Sequence, residues 1–140
     1  MAPQKQQRNW LDYSNWETQH WVVALLVLIA VCIGSLSVAL GTPRFLVTIV
    51  SGSMEPALYR GDLLVMQKTN EYKAGDILVF ERGNDIIVHR AVRETPSGFQ
   101  TKGDHNPSVD LGFVTADRIY GKSILILPKI GNLNLFLAGR

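Results

Sequence analysis

From Trp21 to Pro43 the chain reads WVVALLVLIAVCIGSLSVALGTP, without one charged side chain. About 20 apolar residues wound as a helix cross the ~30 Å hydrocarbon core of a bilayer, so this run is long enough to span. A buried helix of a soluble domain is the competing reading, and a charge-free run of this length disfavours it. Trp16 and Trp21 fit one interfacial aromatic belt, and Arg44 fits the opposite interface. A cleaved signal sequence has a shorter core that ends in small residues. Here a polar tail precedes the core, and its end, Val38-Ala39-Leu40-Gly41, is a poor small-x-small site. An uncleaved anchor is therefore expected. Lys5 and Arg8 lie before the run and Arg44 directly after it, so positive-inside counting favours a cytosolic N-terminus. The expected organisation is a tail over 1–20, a transmembrane anchor over 21–43 and a β-rich domain over 44–140.

Composition narrows what that domain can be. The full chain has 140 residues, enough for one modest domain beside the anchor. Its 14 basic and 12 acidic residues leave a net charge of +2, too little for a nucleic-acid surface. The single cysteine, Cys32, excludes an intrachain disulfide and lies inside the apolar run, where a thiol behaves as a small hydrophobe. His20, His89 and His105 have no paired ligand spacing around them, so neither metal nor cofactor is expected. Asn106-Pro107-Ser108 is no glycosylation acceptor, because proline occupies its middle position.

Beyond Pro43 the pattern is mainly β. Short runs rich in Val, Ile, Leu and Phe recur between Gly, Pro, Asp and Asn, and they predict strands near Phe45–Val50, Leu63–Lys68, Ile77–Glu81, Ile86–Arg93, Gly98–Lys102 and Arg118–Leu127. Arg82-Gly83-Asn84-Asp85 predicts a hairpin between the third and fourth. RGDLLVMQK and AGDILVFER echo one another as two turn-to-strand entries, each with a Gly suited to positive φ and an Asp able to accept nearby backbone N–H groups. That placement argues against reading Arg60-Gly61-Asp62 as an adhesion tripeptide. Ile124–Leu137 is apolar but broken by Pro128, Lys129, Gly131, Asn132 and Asn134. It predicts a final strand with a loop lying on the membrane, not a second span.

Three stretches carry candidate chemistry. Ser51-Gly52-Ser53-Met54-Glu55-Pro56 places two serines in a turn, where most serines only satisfy backbone groups. His89 stands in the apolar run Ile86-Ile87-Val88-His89-Arg90, where a buried, hydrogen-bonded histidine is the ordinary case. The loop Thr101-Lys102-Gly103-Asp104-His105-Asn106-Pro107-Ser108-Val109-Asp110 holds two aspartates, and a solvated turn is its ordinary reading. Together a Ser, a strand His and a loop Asp supply what base-activated acyl transfer requires. Spacing alone does not show that they meet.

SGSMEP, RGDLL, GDILVF, VHR and KGDHNP followed by Asp110, in this order, resemble a type I signal peptidase of the endoplasmic-reticulum and archaeal kind. The resemblance covers roughly Val47 to Lys122 plus the anchor. It implies a small signal-peptidase-like β domain behind one N-terminal transmembrane helix. It also implies a membrane-bound serine endopeptidase that cleaves signal peptides from exported preproteins after small residues at the −3 and −1 positions. By the same resemblance Ser53 is the nucleophile, His89 the general base, and Ser51 an oxyanion-hole donor together with the Ser53 N–H. Bacterial relatives carry a lysine at the place of His89. A lysine base must be desolvated to be neutral near pH 7, whereas an imidazole already is, but it needs a carboxylate to fix its tautomer. The family pattern points to Asp110 for that task and leaves Asp104 to organise the loop or support the site. The preprotein is expected to bind as an added strand, with Ile49, Val50, Met54, Leu58, Ile87 and Val88 lining its pockets. For each of these six a plain core role is the alternative.

His105 departs from the small or amide residue common in relatives. It is expected at the surface, although it could compete as a base. Many relatives continue into a C-terminal membrane helix, whereas this sequence stops at Arg140. That end, and the lack of a retention tail, tilt the expectation toward a prokaryotic cell membrane over the endoplasmic reticulum. Either way the β domain is expected on the non-cytosolic face, with preproteins, the lipid bilayer and the translocation channel as partners and no nucleic acid. Two rivals remain. A self-cleaving repressor-type relative would lack the anchor and carry Lys at position 89. A membrane-tethered, non-catalytic β binding module would be free to lose one of Ser53, His89 and Asp110.

Overall fold

The computed structural model describes residues 14–137 and 139. Lys5 and Arg8, on which the orientation count rests, lie outside them, as does the side chain of Trp16. The chain divides into two compact units, Met1–Leu36 and Ser37–Arg140.

The first unit is dominated by a helix, α1, which runs from Ser14 to Ala39. Its segment Thr18–Ala39 has 22 residues and a mean hydropathy of 2.8, long and apolar enough to cross a membrane. At 1.5 Å per residue it reaches about 33 Å. Every side chain from Thr18 to Leu36 is exposed. A helix that is apolar all round and uncovered fits hydrocarbon and not water.

The second unit is one antiparallel sheet. Its strands are β1 (Leu46–Thr48), β2 (Leu63–Gln67), β3 (Ile77–Arg82), β4 (Asp85–Thr95), β5 (Gly98–Lys102) and β6 (Ile119–Leu127), in the order β1-β2-β6-β3-β4-β5. The predicted hairpin is present: Arg82 pairs with Asp85 across a two-residue loop, Gly83-Asn84. The two echoing entries share one geometry. Gly61 and Gly75 both take positive φ, and the following Asp62 and Asp76 accept the backbone N–H groups of Tyr59 and Lys73 at 2.9 and 3.0 Å.

Alternation along β3 divides the core. Leu78 and Phe80 face one cluster with Ala91, Phe99 and Ile119, and Val79 faces another with Ile49, Met54, Leu58, Leu64 and Met66. The second cluster roots the serine turn, since Met54 and Leu58 are fully buried on either side of Pro56. Among the described residues, two strand segments pair with a neighbouring strand on one side only. β1 pairs only with β2, and the pairing of β5 with β4 begins at Arg90, leaving Asp85–His89 bonded to β3 alone.

The C-terminal expectation is corrected in part. β6 ends at Leu127, and a short helix, α2 (Asn132–Leu137), follows in place of a loop. Its stretch is too short to display a helical period in sequence. A tertiary contact seats its start: Gly131 lies against the backbone of Gly61 and Asp62, where a Cβ would stand 2.9 and 3.0 Å from their carbonyl oxygens.

Candidate active site

Leu78 pairs with His89 in register, so His89 points to the Leu78 and Phe80 side of the sheet, while its neighbour Arg90 points to the other. His89 is 7% exposed. Its Nδ1 lies 2.6 Å from Asp110 Oδ2, and its Nε2 lies 3.3 Å from Ser53 Oγ. Ser53 Oγ is in turn 3.2 Å from Ser51 Oγ. The three residues that spacing could not join therefore meet, at the open edge of β4.

Proton accounting orders this chain of contacts. A carboxylate only accepts, so the nitrogen facing Asp110 carries the proton and Nε2 keeps a lone pair. The Ser53 hydroxyl then donates to Nε2, and the Ser51 hydroxyl donates to Ser53 Oγ.

Asp110 is held on several sides. Its Oδ2 also accepts from Thr101 Oγ1 at 2.7 Å and lies 3.2 Å from the Arg82 guanidinium. Its backbone N–H donates to the Thr101 carbonyl at 2.8 Å. Burial pushes the carboxyl up, but the hydrogen bonds from His89, Thr101 and Arg82 outweigh it and hold the group below its ordinary value. Asp104 lies elsewhere. It makes a two-pronged pair with Arg90, Nε to Oδ1 at 2.9 Å and a terminal nitrogen to Oδ2 at 2.7 Å, and Arg90 also donates to the Gly75 carbonyl at 2.9 Å.

The loop that carries both acids is pinned to the backbone of Ser53. The His105 N–H donates to the Ser53 carbonyl at 2.9 Å, and the His105 residue itself is exposed. At Gly103 a Cβ would stand 2.6 Å from that same carbonyl oxygen, so only glycine lets the loop approach. At Gly52 a Cβ would stand 2.9 Å from the Glu55 carboxylate, a flexible side chain that can move aside.

A cleft of about 730 Å³ runs beside these groups, between the Val47–Met54 segment and the open edge of β4. Ile49, Val50, Met54, Ile87 and Val88 line it. Leu58 does not: it is 0% exposed in the core with Leu64 and Val79 and is absent from the cleft wall. Its place after the nucleophile suggested a pocket residue, but the turn at Pro56 carries it under the sheet. Thr48, Asn84, Asp85 and Ile86 line the cleft without having been singled out.

Sequence reasoning also passed over Thr101, Arg82 and Gly103. Thr101 had a signal, being a polar residue on the inward alternation of β5 beside buried Phe99. Arg82 had none beyond its place in a turn.

Comparison with known proteins identifies the family. The family model described as peptidase S24-like matches residues 30–124. The signal peptidase complex catalytic subunit SEC11 of Colletotrichum graminicola is 38% identical over 119 residues, covering 74% of this chain and 69% of the relative. Those of Scheffersomyces stipitis and Debaryomyces hansenii are each 36% identical, covering 74% of this chain and 71% of theirs. Where a repressor-type dyad would place Lys, this chain has His89. The chain is a peptidase that belongs to the S24-like family, on the branch of the type I signal peptidases of the endoplasmic-reticulum kind.

Proposed function

We propose that the chain removes N-terminal signal peptides from exported preproteins, with Ser53 as nucleophile. The observation that carries this reading is the unbroken relay Ser53 Oγ, His89 Nε2, His89 Nδ1, Asp110 Oδ2, with contacts of 3.3 and 2.6 Å. Ser53 Oγ attacks the scissile carbonyl carbon while Nε2 takes its proton, and Asp110 stabilises the imidazolium that forms. The oxyanion is met by the Ser53 N–H and by the Ser51 hydroxyl, which turns from Ser53 Oγ to the substrate. Collapse passes the Nε2 proton to the leaving amine and leaves the signal peptide esterified to Ser53. Water, deprotonated by His89, then releases it as a carboxylate. The 3.3 Å separation suits a substrate-free site that tightens when the carbonyl arrives.

The open edges on the two sides of the cleft support strand addition, with backbone pairing for affinity and side-chain pockets for selection. Ile49, Val50, Met54, Ile87 and Val88 wall those pockets and admit only small residues at the −3 and −1 positions. Leu58 contributes as the floor beneath Met54. The domain boundaries follow: a tail over 1–20, an anchor over 21–43 and a catalytic domain over 44–140. That domain works on the non-cytosolic face, where preproteins emerge from the translocation channel beside the bilayer. Asp104 supports the site through Arg90.

The test is cleavage of a preprotein with an Ala-x-Ala signal sequence by the detergent-solubilised chain, run beside Ser53→Ala. Cleavage after the second Ala that vanishes in the variant is the expected result. Equal cleavage by both proteins would overturn the assignment of Ser53.

A further inference from the structure

Two groups outside the relay touch Asp110, Thr101 and Arg82, and Arg82 is the charged one. It ends β3, on the same alternating face as Leu78 and Phe80, and so on the His89 side of the sheet. Its guanidinium lies 5.3 Å above the Phe80 ring, and Phe80 is fully buried. That cation–π contact seats the guanidinium beside Asp110. One terminal nitrogen is 3.2 Å from Asp110 Oδ2 and 3.5 Å from Thr101 Oγ1. His89, Thr101 and Arg82 thus converge on a single carboxylate oxygen, and Arg82 alone among them brings a permanent charge.

We propose that Arg82 is a positioning residue that acts through Asp110, its stacked guanidinium keeping Oδ2 aimed at His89 Nδ1; this rests on the relay reading above. Thr101 directs the oxygen by a neutral hydrogen bond from the neighbouring strand. Arg82 adds an ion pair at 3.2 Å from the hairpin, so the acid is held between β3 and β5. The other charged and titratable groups around the cluster are Asp85, opposite Arg82 in the hairpin register, Lys102, opposite Arg90, the Arg90–Asp104 pair, exposed His105 and Glu55 beside Gly52. None of these bonds Asp110 among the described residues, which leaves Arg82 as its side-chain cation apart from a protonated His89. The depressed Asp110 carboxyl, to which the Arg82 bond contributes, agrees with this arrangement.

The experiment compares the intact chain with Arg82→Gln and Arg82→Lys, all in detergent, with an Ala-x-Ala preprotein across pH. Arg82→Gln is expected to lower kcat by about ten- to a hundredfold with KM little changed. Its activity is expected to fail at higher pH on the acid side, because the carboxylate protonates more readily without its cation. Arg82→Lys keeps the charge and loses the fork, so the acid limb returns toward that of the intact chain while kcat stays reduced. Carbon-13 titration of the Asp110 carboxyl in Ser53→Ala protein, with and without Arg82→Gln, reads the same contact without turnover, and its midpoint is expected to rise. Arg82→Met keeps the packing over Phe80 and replaces Gln if that variant does not fold. An unmoved Asp110 midpoint and an unmoved acid limb overturn the proposal. Equal cleavage by intact and Ser53→Ala protein would instead sink the functional reading, and the Asp110 titration would still decide on Arg82.

Discussion

Two carboxylates, Asp104 and Asp110, leave the same loop and meet neighbouring residues of β4, yet they do different things. Strand alternation puts His89 on one face and Arg90 on the other, so one acid reaches each. Asp110 finds a titratable partner at the edge of an open cleft, where its side chain is 9% exposed. Asp104 finds a permanent cation already tied to the Gly75 carbonyl, in a pair with side chains 33% and 20% exposed. The first pair is placed to move a proton. The second ties the loop to β4 and to the turn before β3. What differs is not the acid but which side of a strand it meets.

The comparison breaks most readily at the acids themselves. Asp110→Ala is expected to lower kcat by up to about 10⁴, because the imidazole loses both its tautomer and its counter-charge. Asp104→Ala is expected to cost under about tenfold in rate and about 1 kcal/mol in stability, the screened worth of a two-pronged surface pair. Steady-state kinetics and thermal melts of the two variants separate these roles, and a larger rate loss for Asp104→Ala would reverse them. Ser51→Ala removes the proposed oxyanion donor on the His89 side and should lower kcat by about 10²–10³ with KM nearly constant. Gly103→Ala tests the contact that the whole loop shares. Its Cβ would meet a backbone oxygen 2.6 Å away, which cannot rotate aside. A loss of about 10² in kcat, with a lowered melting temperature, is expected from the displaced nucleophile.

The smallest effect is on stability against pH, and its sign follows from Asp110. The folded-state carboxyl is held below its ordinary value. Its contribution is therefore fully present above about pH 4, the range of an unfolded aspartate, and is lost as pH falls through the folded value. Melting temperatures of the intact chain and of Asp110→Asn should differ most near pH 7 and converge toward pH 3. A gap that widens on acidification would contradict the sign.

The strands were legible because their signal is local: alternation and turn residues placed all six, with ends within a residue or two of those found. The candidate relay was legible only as a set of residue types. Choosing between Asp104 and Asp110 needs the face that each reaches, and that depends on how the loop folds back on Ser53 through Gly103 and His105. Leu58 was misplaced for a related reason, since a turn decides whether the next apolar side chain lines a cleft or lies beneath it. Arg82 and α2 left almost no trace. A guanidinium stacked on Phe80 is a tertiary contact, and six residues are too few to show a period.

The central claim is that Ser53 is acylated through His89. Acid quenching of the chain during turnover of an Ala-x-Ala preprotein, followed by mass spectrometry of its proteolytic fragments, tests this most directly. The account predicts one fragment, containing Ser53, heavier by the cleaved signal peptide and missing in His89→Ala protein. An ester at any other residue, or cleavage that persists in Ser53→Ala protein, would contradict it.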